Sequence, residues 1–445
     1  MVVPTSSGLS IPTSRYTNSL AEEFPSHNRT YKVESGISNR YRRDYLPINA
    51  NLNNGNLTDT YIEFVLPSNG QEFMDLDSFS IEMKLNIVKA NGSKLDETDQ
   101  LTLVDGFGHR ILNRCSLFLN GTSISSDQYF GINNVVKSYL NMDKSILPTH
   151  GRNMYYKDLN YDIEEVITMD GYTKNLNNNH ERSIVEDVKN GIHSVVPLNL
   201  DIASSNFYLL NGVEIRLRID LAPSEVVINT HLGEKYRYNV EYMKLWVEKI
   251  VPYSSALMGL NKSLFVQNRT VEYLFNKSIV KTYIWPRGYS NFSYDDIFTG
   301  LIPQYFHIFL VNQQSINGRY DRNSMYLSHC NLNQIRVDLN GNLVQSLTCN
   351  FPSGIANLFH QTLSNINPLN LLTHQSYRKG RTILSYDLRT SVCSDVIHLE
   401  RSGNLKIDIQ SQSAQQENII IFIVGIFTGV FDIDANRQVK TSFTL

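Results

Sequence analysis

Cysteine is scarce. The 445 residues hold four, Cys115, Cys330, Cys349 and Cys393, dispersed and with no C-x-x-C pair. That spacing excludes a secreted disulfide framework and reads as reduced, buried thiols in a chain assembled in a reducing compartment. Charge is thin as well: 19% of residues are charged and the net charge is −3, so no global basic field supports bulk nucleic-acid binding. Long apolar runs are missing. The longest, IIIFIVGIFTGVF from Ile419, is too short for a membrane span and too β-branched to prefer a helix, and is expected as a strand buried on both faces. The opening MVVPTSSGLSIPTSRY has no signal-peptide core, and the sequons at Asn28, Asn120 and Asn276 are what an Asn-rich chain yields by chance.

Catalytic signatures are lacking too. There is no Walker A sequence, Rossmann fingerprint or G-x-S-x-G elbow, and DGFGHRI from Asp105 spaces its glycines wrongly for a phosphate cradle. His329, Cys330, Cys349 and His360 fit no zinc spacing and read as buried strand thiols with neighbouring histidines. DIDANR from Asp432 starts like a calcium loop, but Arg437 stands where glycine is needed and Phe443 where the bidentate glutamate belongs. It reads as the turn after the last strand. Asp75, Asp77, Asp295 and Asp296 are carboxylates that a glycosidase would need in pairs; beside strand starts they read as solvated turn residues. No catalytic, cofactor-binding or metal site is assigned, and no cofactor is expected.

What the chain does contain is repetition. LNRCSLFLNGTSISS at Leu112 returns at Leu332 as LNQIRVDLNGNLVQS. Cys115, Leu117 and Leu119 alternate with Arg114, Ser116 and Phe118, as Ile335, Val337 and Leu339 do with Gln334, Arg336 and Asp338, so both are half-buried strands. Each runs into Asn-Gly, at Asn120-Gly121 and Asn340-Gly341, the dipeptide that tolerates the positive φ of a type I′ hairpin. A helical stripe follows each: Ile132, Val135, Val136, Tyr139 and Leu140, then Ile355, Leu358, Phe359 and Leu363. FSIEMKLNIVKANG from Phe79 and YFHIFLVNQQSING from Tyr305 are both strand-like and both close on Asn-Gly. Alternating NGVEIRLRIDL and GNLKIDIQ come later, and each half ends on a long apolar strand, VEYMKLWVEKI from Val240 and the Ile419 run.

Order repeated with shrinking offsets marks a duplicated domain. The fold class expected is all-β: two tandem eight-stranded jelly-roll β-sandwiches, a double jelly roll, with short helices in loops. Alternation stops in PYSSALMGLNK from Pro252, which places an extended arm at 1–44, a first jelly roll at 45–253 with a polar insertion at about 142–190, a linker at 254–263 and a second jelly roll at 264–445. Three copies of such a chain would set six similar sandwiches around a three-fold axis.

The chain resembles the double jelly-roll major capsid proteins of Polinton (Maverick) elements and adintoviruses. The resemblance rests on YIEFVLPSNGQEFMDLDSFSIEMKLNIVKANG and LFLNGTSIS in the first half, on FTGLIPQYFHIFLVNQQSINGRYDRN, VDLNGNLVQS and YRKGRTILSYDL in the second, and on FDIDANRQVKTSF near the end. It implies a hexon-like virion protein of a dsDNA virus or element, not an enzyme. Homotrimeric capsomers would tile an icosahedral capsid assembled inside the host cell, alongside penton and minor capsid proteins. Arg40, Arg42 and Arg43, interleaved with Tyr41 and Tyr45, form the one basic patch suited to a neighbouring subunit's acidic rim or to genome DNA. So small a patch favours the protein contact. Two other classes stay open on the residues alone: a glycan-binding tandem β-sandwich, for the aromatics and the polar insertion, and a β-sandwich glycoside hydrolase built on the aspartates named above.

Overall fold

In the computed structural model of this chain, the residues described are 37–48, 52–53, 56–57, 61–146 (bar 69, 97–98 and 100), 154–156, 190–389 (bar 206, 231–234, 352–354 and 365–369) and 401–441. Sixteen principal strands fall into two sets of eight. The first set is β1 (Ile37–Tyr45), β2 (Tyr61–Leu66), β3 (Ser80–Lys89), β4 (Leu112–Leu119), β5 (Thr122–Asp127), β6 (Ile192–Pro197), β7 (Ile215–Leu221) and β8 (Tyr236–Pro252). The second is β9 (Val271–Trp285), β10 (Asn291–Leu301), β11 (Tyr305–Asn312), β12 (Leu332–Leu339), β13 (Asn342–Thr348), β14 (Ile383–Asp387), β15 (Ser402–Ser411) and β16 (Ile419–Ile433). One sheet of the first sandwich runs β6-β3-β8-β1 and the other β2-β7-β4-β5; the second sandwich repeats both orders as β14-β11-β16-β9 and β10-β15-β12-β13. Each strand therefore has its counterpart eight strands on, and the chain is a double jelly roll.

The duplication holds down to single residues. Asn120 and Gly121 adopt φ of 45° and 80°, Asn340 and Gly341 of 53° and 78°, and the chain returns with Leu119 opposite Thr122 and Leu339 opposite Asn342. Both hairpins carry a bulge in the same place, at Leu117/Phe118 and Val337/Asp338. The Asn120 side-chain oxygen accepts from the Glu214 amide at 2.7 Å, and that of Asn340 from the Asn404 amide at 2.8 Å. Helices α1 (Phe130–Asn141) and α3 (Ile355–Ser364) follow β5 and β13 and bury the apolar stripes read from the sequence, with Phe359 and Leu363 only half-buried.

Five expectations are corrected. Residues 37–44 are not an arm: β1 pairs along β8 from Ile37–Pro252 to Tyr45–Leu245 and is the first strand of the first sandwich, the counterpart of β9. Residues 1–36 lie outside the described residues. The insertion is not all surface decoration, because Met154, Tyr155 and Tyr156 are buried and their backbone carbonyls at 154 and 155 accept from Gly108 and Gly106; 147–153 and 157–189 lie outside the described residues. The linker is a helix, α2 (Ser254–Asn261), running into a wider turn at Lys262–Val266. QQSIN after β11 is also a helix rather than strand, since Asn312 caps it by accepting from the Gln314 amide at 2.8 Å. Finally, Asp434–Arg437 is the turn expected, but the strand before it is not the last: Val439–Thr441 returns to pair with β16.

Candidate functional site: the seam between the sandwiches

Alternation gives β16 two faces, and over Ile421–Phe427 both are buried. One fills its own sandwich. The other meets the first sandwich, where Phe422, stacked on Phe309, makes a T-shaped contact with Tyr129 at 5.1 Å between ring centroids. Around this contact the two halves exchange hydrogen bonds. The Tyr273 hydroxyl donates to the Tyr208 carbonyl at 3.0 Å and accepts from the Leu210 amide. Asp201 accepts from the Ser278 amide and hydroxyl and from Lys137 Nζ at 3.0 Å. The Asn120 side chain donates to the Arg437 carbonyl at 2.7 Å, and Arg437 donates to Asn211.

A buried ion pair also joins the two halves. Arg381, from the second half, donates through Nη2 to Asp105 Oδ2 at 2.5 Å and through Nε at 3.0 Å, while the Tyr139 hydroxyl donates to the same oxygen at 2.7 Å. The guanidinium lies over the Tyr139 ring, 4.5 Å from its centroid. Burial alone would lower the Arg381 pKa; Asp105 and Tyr139 outweigh it and hold it raised. Burial, reinforced by Asp105, pushes the Tyr139 phenol well up. Beside it, His109 is buried with Nδ1 2.9 Å from the Tyr156 hydroxyl and Nε2 2.8 Å from the Pro197 carbonyl, and burial pushes it down to about 4.

A cleft of about 1160 Å³ opens along the seam, with Lys137, Asp201, Ser278, His307, Arg389 and Val424 in its wall. Burial lowers His307 to about 4, helped by the Lys137 charge. Among the described residues its Nδ1 has no hydrogen-bond partner.

The residues singled out by sequence are scattered rather than gathered. Arg40 and Arg42 lie on the outer face of the sheet containing β8: Arg40 donates to the Tyr208 hydroxyl at 3.0 Å and approaches Asp75 and Glu248, and Arg42 donates to Ser80 and lies over Trp246. Arg43 sits against the Tyr45 ring. Asp75 is buried and its Oδ1 accepts from the Asp77 amide, an Asx turn, whereas Asp295 pairs with Lys406 at 2.8 Å and Asp296 accepts from Asn404, so the four aspartates form no catalytic pair across one cleft. His329 stacks on Phe351, Cys330 and Cys349 are buried, and His360 is exposed on α3; Cys393 lies outside the described residues. Among the described residues no three His, Cys, Asp or Glu side chains converge on a metal position, and no helix is long and apolar enough to cross a membrane. Sequence reasoning missed Asp105 and Arg381 as partners. They stand 276 residues apart, and only the strong polarity of two residues inside otherwise buried segments hinted at them.

No family model and no curated protein matches the sequence. Solved structures do match. A chain of the Sputnik virophage solved by cryo-EM superposes with a TM-score of 0.61 at 12% identity, over 100% of this chain and 93% of that one. The mavirus major capsid protein superposes at 0.57 with 10% identity, over 100% and 96% of the two chains. The Faustovirus major capsid protein follows at 0.56 with 9% identity, over 88% and 90%. The likeness is one of fold, and it spans both sandwiches.

Proposed function

We propose that this chain is a major capsid protein, forming hexon-like homotrimers that tile the icosahedral shell of a Polinton-like or adintovirus-like dsDNA virus or element. The observation that carries the reading is the internal pairing of all eight strands across two sandwiches locked by a polar and aromatic seam, in a fold shared with viral capsid proteins. A rigid chain with two similar halves supplies two of six similar corners, and three copies close the ring. In this reading the protein's work is mechanical, with neighbouring capsomers, penton and minor capsid proteins as partners; contact with genome DNA is at most weak. The test is native mass by light scattering with negative-stain imaging of the same sample. A species of about 153 kDa, three times the 50.9 kDa chain, with a six-sided outline supports the capsomer; a strict 50.9 kDa monomer at high concentration overturns it.

A further inference from the structure

The seam inside the chain includes a contact between the edge strand of the first sandwich and the edge strand of the second: β5 packs on β9, with Ile124 and Val280 lining the same narrow cleft. Ile124 is the residue expelled by the β4–β5 bulge, and it is 2% exposed. Its counterpart at the β12–β13 bulge is Val344, which is 46% exposed beside Leu343 at 53%. Among the described residues the first hairpin thus has a cover within the chain and the second has none. An exposed apolar pair on an edge strand is a surface that natural sheets otherwise protect.

Strand register identifies the matching cover. β3 begins with Ser80 opposite Trp246, and β11 with Tyr305 opposite Ile426. Across the sheet Trp246 faces Asp44, and Ile426 faces Ser278. Asp44 therefore corresponds to Ser278, Tyr45 to Ile279 and Leu46 to Val280. At this place the first sandwich also carries bare apolar side chains: Leu46 is 65% exposed and Ile48 62%, although the backbone there is held by the Ile48 amide donating to the Glu63 carbonyl at 2.8 Å. Two exposed apolar patches lie at positions that are partners in the internal seam, one on each sandwich. A head-to-tail contact of this kind closes into a ring when repeated by rotation.

We propose that the β13 edge of one copy, through Leu343 and Val344, seats on the end of β1 of a second copy at Leu46 and Ile48, repeating between chains the contact that Ile124 makes within one. Arg43 and Asp44 then flank the contact, in the places that Lys277 and Ser278 occupy in the internal seam. The inference rests on the trimer reading and adds to it the surfaces that meet.

Two measurements test it on the full-length protein. Light scattering of V344D is expected to give a native mass near 50.9 kDa where the unaltered chain gives about 153 kDa, with unchanged far-UV circular dichroism. In a V344C/L46C chain, mild oxidation is expected to give a three-chain band on a non-reducing denaturing gel, with neither single variant doing so. The cysteine pair decides the matter if V344D does not fold. An unaltered trimer combined with a trimeric V344D and no linked band overturns this interface and leaves the capsomer reading in place. An unaltered protein that stays monomeric overturns both.

Discussion

Arg381 and Asp105 make a large single-residue wager in this fold. Taking both charges out of water is costly, and the pair is tolerated because three donor contacts converge on one carboxylate oxygen. Arg381→Met strands a carboxylate in the seam and is expected to cost about 3–5 kcal/mol, whereas adding Asp105→Leu recovers much of that loss. Chemical denaturation of both variants measures the difference, and equal stabilities for the single and double variants would refute the account. His109 and His307 set a pH dependence with a definite sign. Burial lowers both to about 4, while an unfolded histidine titrates near 6.5. Between those values the unfolded chain holds more protons, so their contribution is fully present above about pH 6.5 and is lost as pH falls towards 4, by about 1.4 kcal/mol per pH unit for each histidine. The melting temperature should fall over that window, and His307→Leu should reduce proton uptake on unfolding there by about one.

At the scale of elements, the two hairpins act as an internal control. Asn120 and Asn340 share positive φ and the same kind of side-chain bond to a backbone amide of the neighbouring segment, yet among the described residues only Asn120 also donates across the seam, to Arg437. Asn→Ala at either site imposes the left-handed conformation on a residue that resists it and removes a bond. Asn120→Ala should therefore destabilise more than Asn340→Ala, by about 1 kcal/mol, the worth of one further hydrogen bond. Equal losses in thermal or urea unfolding would show that the Arg437 contact carries no weight. These hairpins, the helices after them and the buried run of β16 were legible in the sequence because each has a period that burial on one or both faces imposes. β1 was not. Its half-buried residues are Ile37, Tyr41 and Tyr45, every fourth position, because the strand lies at a sheet edge with both faces largely in solvent. Only pairing with β8 makes it a strand, and pairing leaves no mark in a local pattern. The helical linker was missed for a related reason: α2 buries little beyond Ala256 and Leu260. The seam itself was invisible, since its residues become neighbours only once both sandwiches exist.

For the molecule as a whole, the seam decides whether the chain behaves as two domains or one. Separate sandwiches joined by a linker would melt in two steps, each with its own core. Here the outer face of β16 buries Phe422 and Val424 against the first half, and each sandwich supplies one member of the Asp105–Arg381 pair. Opening the seam would expose apolar surface on β16 and leave both charges with only water to replace each other, so a state with one sandwich folded and the other melted gains little and loses the whole interface. The expected outcome in scanning calorimetry is a single transition whose calorimetric and van't Hoff enthalpies agree. The same argument predicts where cooperativity breaks: Arg381→Met weakens the seam without touching either sandwich's own core, so it should split or broaden the transition as well as lower it. Two separate transitions in the unaltered chain would mean that the halves are held by their linker alone. A tile of that kind could not hold two corners of a ring at a fixed angle, so the result would count against the capsomer as well as against the seam.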